Sequence, residues 1–395
     1  MIALVLAGGQ GQRLYPLTRD RAKPAVPFGG TYRIIDFVLS NCINSGVRRI
    51  FVLTQYKSNS LDTHIHFGWN ILSHALGEFV HTIPPQQRIG DTWYQGTADA
   101  IYQNIYTLER ERPDLVIILS GDHVYKMNYR AMARAHLDKN AHMTLACIPV
   151  PREQAREFGV AVVDENNRII DFQEKPSDPP TIPGSADLCL ASMGVYLFDT
   201  ATLVREVAND AKTPSNHDFG KDIIPKMIHT HCVYAHDFQD ENRKPAKYWR
   251  DVGTLDAYWE ANMDLVAIDP AFNLYDPAWP IRTFPSNEPP AKTVFQSGIV
   301  TDTLISPGCI ISGARVEHSV LSPSVRIDEG AHVSESILME GTLVGRGCRI
   351  HKAIIDKGVY VADGTRVGVE HAEDSKRYIV TEQGVTVIPR ERHYA

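Results

Sequence analysis

The chain has 395 residues, is 43 % hydrophobic and 22 % charged, and carries a formal net charge of -7, the balance of a soluble globular protein with enough sequence for two cores. No Lys/Arg-rich block points to a nucleic-acid partner, and aliphatic runs such as Val116 to Leu119 are far too short to span a bilayer. The six cysteines are scattered without a CxxC pair, which disfavours zinc and disulfide frameworks and suits reduced thiols in the cytoplasm.

Met1 to Leu6 is apolar, with no basic region before it and no small-residue cleavage site after it, and reads as a buried strand rather than a signal peptide. The loop that follows is Leu6-Ala7-Gly8-Gly9-Gln10-Gly11-Gln12-Arg13-Leu14. Glycines after a strand let backbone N–H groups approach phosphate oxygens, and Arg13 adds a positive charge. The loop is not Walker A, and Leu14 stands where the dinucleotide fingerprint needs its third glycine. Alone it is a weak signal that fits any tight turn.

Further apolar runs at Arg49 to Leu53, Leu115 to Leu119 and Thr144 to Ile148 alternate with helix-compatible stretches such as Ala98 to Arg112 and Tyr129 to Lys139. That alternation predicts a mainly parallel sheet covered by helices, with ligands outside the carboxyl ends of the strands. Asp269 through Pro290 is proline-rich and reads as a linker.

Beyond it the period changes. Apolar residues recur every six positions as Leu304, Ile310, Val316; Leu321, Ile327, Val333; Leu338, Val344, Ile350; and Ile355, Val361, Val367. Each set starts 17 residues after the last, and Gly313, Gly330, Gly347 and Gly364 keep the same step. This pattern predicts a three-sided β-helix with one inward side chain per face and glycine at corners. The expected division is residues 1–268 for the first domain, 269–297 for the linker and 298–395 for the coil. His318, His332 and His351 occupy no repeated position, so the coil is assigned to assembly and regulation, not acyl transfer.

From Leu6 through Lys23-Pro24 the chain resembles the nucleoside-diphosphate-sugar pyrophosphorylases, with their LAGGxGxRLxPLTxxxxKP signature. Phe28-Gly29-Gly30-Thr31-Tyr32-Arg33-Ile34-Ile35-Asp36-Phe37, Ser120-Gly121-Asp122-His123-Val124-Tyr125, Glu174-Lys175-Pro176 and Tyr248-Trp249-Arg250-Asp251-Val252-Gly253-Thr254 narrow it to the bacterial-type ADP-glucose pyrophosphorylases. The resemblance implies an α/β Rossmann-like nucleotidyltransferase domain followed by a left-handed parallel β-helix. It implies in-line attack of glucose 1-phosphate on the α-phosphorus of ATP, for α-glucan synthesis.

By the same resemblance, Asp122 and Asp251 hold Mg²⁺, and Arg13 and Lys23 act on the triphosphate and the departing pyrophosphate. Leu6, Gly8, Gly9, Gly11 and Gln86 join the nucleotide site, the last as part of the segment Gln86-Gln87-Arg88. Tyr94, Gly159, Glu174, Lys175, Ser192, Tyr196 and Asp218 form the glucose 1-phosphate site. Phe219 and Trp249 match pocket positions, with Phe219 readable equally as core. Arg33, Arg110 and Lys357 are candidates for phosphorylated effectors of a cytoplasmic homotetramer. Asp20 and Pro27 replace the Lys and His of members controlled by fructose 1,6-bisphosphate. A different nucleotide or sugar, or a non-catalytic regulatory homologue, are the alternatives.

Overall fold

The computed structural model describes residues 1–86, 93–295 and 298–390. Its first sheet runs, in spatial order, Ile169–Glu174, Gly159–Val163, Leu188–Asp199, Leu115–Ser120, Ile2–Ala7, Arg49–Thr54 and Phe79–Ile83. Met143–Pro151 also pairs with Leu188–Asp199 and carries Val233–Asp237 beside it. The strand Ile2–Ala7 alternates between two cores. Ala3, Val5 and Ala7 face one, under the helices Ile34–Asn44 and Tyr129–Asp138, while Ile2 and Leu4 face the other, under Thr200–Asp210 and Ile224–Thr230. A parallel strand buried on both faces reads as a continuous apolar run, which is what this segment is.

The sheet is mixed rather than mainly parallel. Leu188–Asp199 runs antiparallel to Leu115–Ser120, to Met143–Pro151 and to Gly159–Val163. An antiparallel neighbour needs no crossover helix, so the helix–strand alternation that reveals the first strands does not reveal these. The predicted helix over Ala98 to Arg112 is two helices, Thr97–Tyr102 and Ile105–Glu111.

The proline-rich segment is not a free linker. It lies along a polar stripe on the helix Ile34–Asn44. Trp279 Nε1 donates to Asn41 at 2.9 Å, the Arg282 backbone N–H to Ser40 at 2.8 Å, the Arg282 guanidinium to Asn44 at 2.7 Å and Thr283 Oγ1 to Asp36 at 2.7 Å. Asp36, Ser40 and Asn44 are spaced by four and so share one helix face. Asp36 is fully buried and also accepts from His64, Trp69 and the Arg33 N–H.

The second half is a three-sided parallel coil whose faces begin with Lys292–Val294, Ile299–Thr301 and Leu304–Ile305. The first of these strands falls within the stretch read as linker and pairs with Ile310–Ser312. Gly313, Gly330, Gly347 and Gly364 all have φ between 62° and 74°, the left-handed region that glycine enters without penalty.

The first coil differs from the spacing. Ile305 pairs with Leu321, Ile311 with Ile327 and Val300 with Val316, a step of 16 rather than 17. Ile311, not Ile310, therefore points inward, and Leu304 packs toward the first domain. A slip of one residue sends a strand's side chains to the opposite face.

The two halves share one apolar cluster. Leu14, Leu17, Phe28 and Tyr258 from the first half meet Val320, Ile337, Ile354 and Val387 from the coil. Within the same interface, Arg21 donates to Asp356 at 2.7 and 3.0 Å, with side chains only 8 % and 4 % exposed. Removing one partner of such a pair leaves an uncompensated buried charge, at a cost of about 3–5 kcal/mol. Asp356→Asn is predicted to lower the first urea-unfolding transition by that order, and Arg21→Met with Asp356→Leu to regain most of it. A single variant as stable as the parent would contradict this.

Candidate active site

The site begins where Ile2–Ala7 ends. Leu6 O accepts the N–H of Gly121 at 3.0 Å, tying the glycine loop to the turn that carries Asp122. Gly11 has φ 62°, and a Cβ there would meet Thr18 and Lys23 side-chain carbons at 3.0–3.1 Å. Only glycine lets the loop turn against Lys23 in this way. Gln12–Leu14 forms a short 3-10 helix, and the chain returns to place Lys23 at the start of Lys23–Ala25.

Lys23 is nearly buried. Its ammonium donates to Asp122 Oδ2 at 2.8 Å and to Asp251 Oδ1 at 2.9 Å. Burial opposes the charge on Lys23, but Asp122 and Asp251 outweigh it and raise its pKa above the ordinary value. Burial likewise opposes the charge on Asp122, yet Lys23, His123 and the Ser120 hydroxyl hold its carboxyl well below the usual carboxylate range. Asp251 reaches the same point because Trp249–Asp251 pairs antiparallel with His123–Tyr125, with Asp251 opposite His123. Arg13 is half exposed, with its guanidinium 3.8 Å from Asp251 and 3.5 Å from Glu157.

A cavity of about 630 Å³ opens over this cluster. Leu6, Gly8, Gly9, Gly11, Arg13 and Lys23 line one side, and Tyr94, Thr97 and Asp218 line another. Asp218 accepts from Thr97 at 2.9 Å and from the Gly220 N–H at 2.9 Å, so it caps the turn Phe219–Ile223 as well as facing the cavity.

Glu174 stands opposite Gly159 in the register of two strands. A Cβ at Gly159 would lie 2.8 Å from Glu174 Oε2, and one at Gly220 would lie 2.4 Å from the same oxygen. Glu174 thus occupies a notch kept open by two glycines. Burial and Asp218 push its pKa up, with Lys175 and Lys221 opposing. Lys175 follows with φ 49°. Burial, Asp218 and Glu174 raise the Tyr196 hydroxyl, which also shares a hydrogen bond with Ser192. Glu174, Ser192, Tyr196 and Asp218 are therefore one electrostatic neighbourhood.

Phe219 is core, 1 % exposed and packed on Phe198 and Tyr196. Trp249 is buried edge-on to His123 and Phe158, and its indole N–H has no partner among the described residues.

Some expected residues lie elsewhere. Gln86 lines a separate cavity of about 300 Å³ together with Arg110, while Gln87 and Arg88 fall outside the described residues. Arg33 and Lys357 do come together, with Arg21 and Glu340 around them. Burial, Arg33 and Arg21 lower the Lys357 pKa although Glu340 opposes this, and Lys357 donates to Glu340 at 2.6 Å. Arg110 is instead paired with Glu111. Asp20 is paired with Arg19 at 2.9 Å.

The sequence reading missed Gln55 and Tyr56, which line the main cavity, and the parallel stack of Tyr56 on Trp93 at 5.4 Å. It also assigned nothing to Arg21 or to the His123 imidazole. Among the described residues, ligand atoms of Asp122, His123 and Asp251 all lie within 4.8 Å of one another, a grouping able to hold a metal ion.

Residues 2–267 match the nucleotidyl transferase family, and residues 289–388 match the GlmU-like C-terminal hexapeptide family. Glucose-1-phosphate adenylyltransferase of Koribacter versatilis is 51 % identical over 99 % of this chain and 95 % of its own length. The protein of the same name from Anaeromyxobacter dehalogenans is 53 % identical over 99 % and 97 %. That of Rhodopirellula baltica is 56 % identical over 83 % and 75 %. With its glycine loop, carboxylate pair and hexapeptide coil in one collinear match, the chain belongs to the nucleotidyl transferase family and, within it, to the glucose-1-phosphate adenylyltransferases.

Proposed function

We propose that the protein joins ATP to glucose 1-phosphate, giving ADP-glucose and pyrophosphate, and so supplies a glucosyl donor for α-glucan synthesis. The observation that carries this reading is the bridge of Lys23 between Asp122 and Asp251 at the floor of the glycine-loop cavity. Two polyanions must approach each other here, so the site needs fixed cations and a place for a mobile one.

The N–H groups of Gly8, Gly9 and Gly11 cradle the triphosphate. Arg13 and Lys23 neutralise it and stabilise the departing pyrophosphate. Asp122 and Asp251 suit a divalent cation, Mg²⁺ in this reading: the ammonium between them is a positive charge held by the same two carboxylates, and hard carboxylates are the usual protein ligands of such an ion. When bound, such an ion supplies Lewis-acid stabilisation of phosphate charge.

On the sugar side, Lys175 grips the phosphate and Glu174 accepts hydrogen bonds from sugar hydroxyls. Tyr94, Gly159, Ser192, Tyr196 and Asp218 shape the rest of that pocket. The phosphate oxygen of glucose 1-phosphate then attacks the α-phosphorus in line with the leaving pyrophosphate. Gln86 sits beside Arg110 in the second cavity, apart from the residues that line the glycine-loop cavity.

The cluster of Arg33 and Lys357 with Arg21, at the seam between the halves, suits a small phosphorylated effector of a cytoplasmic homotetramer. Arg110 has no part in that cluster within one chain.

A panel of ATP, UTP and dTTP with glucose 1-phosphate, read by pyrophosphate release, tests the function. ATP is predicted to give a kcat/KM at least tenfold above the others. Equal or better use of UTP or dTTP would contradict the reading. For the seam, Lys357→Ala is predicted to keep unstimulated kcat within about twofold while weakening the response to phosphorylated metabolites, because its ammonium faces the seam and not the cavity. Loss of basal kcat with an unchanged response would contradict that assignment.

A further inference from the structure

His123 is absorbed by none of the roles above, yet its ring is fixed more tightly than a bystander requires. It is only 13 % exposed at the side chain. Trp249 packs against it edge-on at 5.2 Å with an interplanar angle of 82°. Its Nδ1 lies 3.2 Å from the backbone oxygen of Met193. A carbonyl oxygen only accepts, so Nδ1 donates its N–H to Met193 and Nε2 is the ring nitrogen turned the other way.

Nε2 faces carboxylates. Nε2 is 3.6 Å from Asp122 Oδ1 and 3.9 Å from Asp251 Oδ1. These separations are too long for hydrogen bonds. They are the separations of atoms sharing one ion, since ligands bound at about 2.0–2.2 Å stand up to roughly 4 Å apart. Lys23 bonds to Asp122 Oδ2 and Asp251 Oδ1, while Asp122 Oδ1, which accepts the Ser120 hydroxyl, keeps a second lone pair for a further partner on the imidazole side. An imidazole that donates its other N–H to a backbone carbonyl is also the usual arrangement of a metal-ligating histidine.

We propose that His123 is a third protein ligand of the divalent cation held by Asp122 and Asp251, bound through Nε2, and that it sets the ion preference of the site. The proposal rests on the reading that those two carboxylates hold a cation. Calcium and magnesium prefer oxygen, whereas affinity for a site that includes nitrogen rises along the first-row ions from manganese to cobalt. His123 therefore favours the second pair of ions without excluding the first.

The test uses the full-length enzyme labelled with ¹⁵N-histidine and saturated with Mn²⁺ and ATP, without sugar phosphate. Pulsed electron paramagnetic resonance then reads nitrogen coupling at the metal, and the isotope separates histidine from adenine nitrogens. The parent is predicted to show ¹⁵N coupling that His123→Ala and His123→Gln abolish. Both variants are predicted to bind Mn²⁺ and Co²⁺ at least tenfold more weakly and Ca²⁺ within twofold of the parent, with unchanged thermal unfolding.

Absence of ¹⁵N coupling in the parent, or its persistence in both variants, would overturn the histidine ligand. An equal loss of affinity for all three ions would overturn the claim of ion preference. Asp122→Asn separates the two levels: if it leaves Mn²⁺ affinity intact, the cation reading itself fails, and the His123 proposal with it.

Discussion

Two carboxylates held within reach of one ammonium are the constraint around which the first half is arranged. Asp251 ends one strand and Asp122 immediately precedes the strand paired with it, so their approach is enforced by backbone register. Without a cation between them, one would have to take up a proton. Lys23 supplies that charge in this structure, and its own position depends on the loop that Gly11 allows to fold against it. The cavity, the depressed Asp122 pKa and the buried Lys23 all follow from this one arrangement.

The same loop carries a link to the coil. Arg21 precedes Lys23 by two residues and ends in a buried ion pair with Asp356. The shared apolar cluster and the strap along Ile34–Asn44 hold the halves in one packing arrangement. Charge at the domain seam is thus only a short stretch of backbone away from charge at the site.

Much of this was legible in the sequence where a local rule applies. The glycine loop after an apolar strand, Asp122 at a strand end and the glycine corners of the coil each depend on chemistry within a few residues. The remainder depends on partners far away in the chain. Nothing local marks Leu188–Asp199 as antiparallel, because its direction is decided by three neighbours. The short first coil hides behind the perfect six-residue spacing of Leu304, Ile310 and Val316, and only the pairing of Ile311 with Ile327 shows that the next residue is the inward one. The proline-rich segment looks like a linker until the polar stripe of Asp36, Ser40, Asn41 and Asn44 gives its backbone and side chains partners. His123 was in view within its motif, but the orientation of its ring depends on Met193 and Trp249.

The central claim is that the site works by alignment and charge alone, with no protein atom bonded to the nucleotide. Direct in-line displacement at phosphorus inverts its configuration, whereas two successive displacements through an enzyme nucleophile restore it. The most direct measurement is the stereochemical course with an ATP analogue bearing sulfur at a chiral α-phosphorus, followed by ³¹P nuclear magnetic resonance of the sugar nucleotide. The account predicts inversion, and retention of configuration would contradict it.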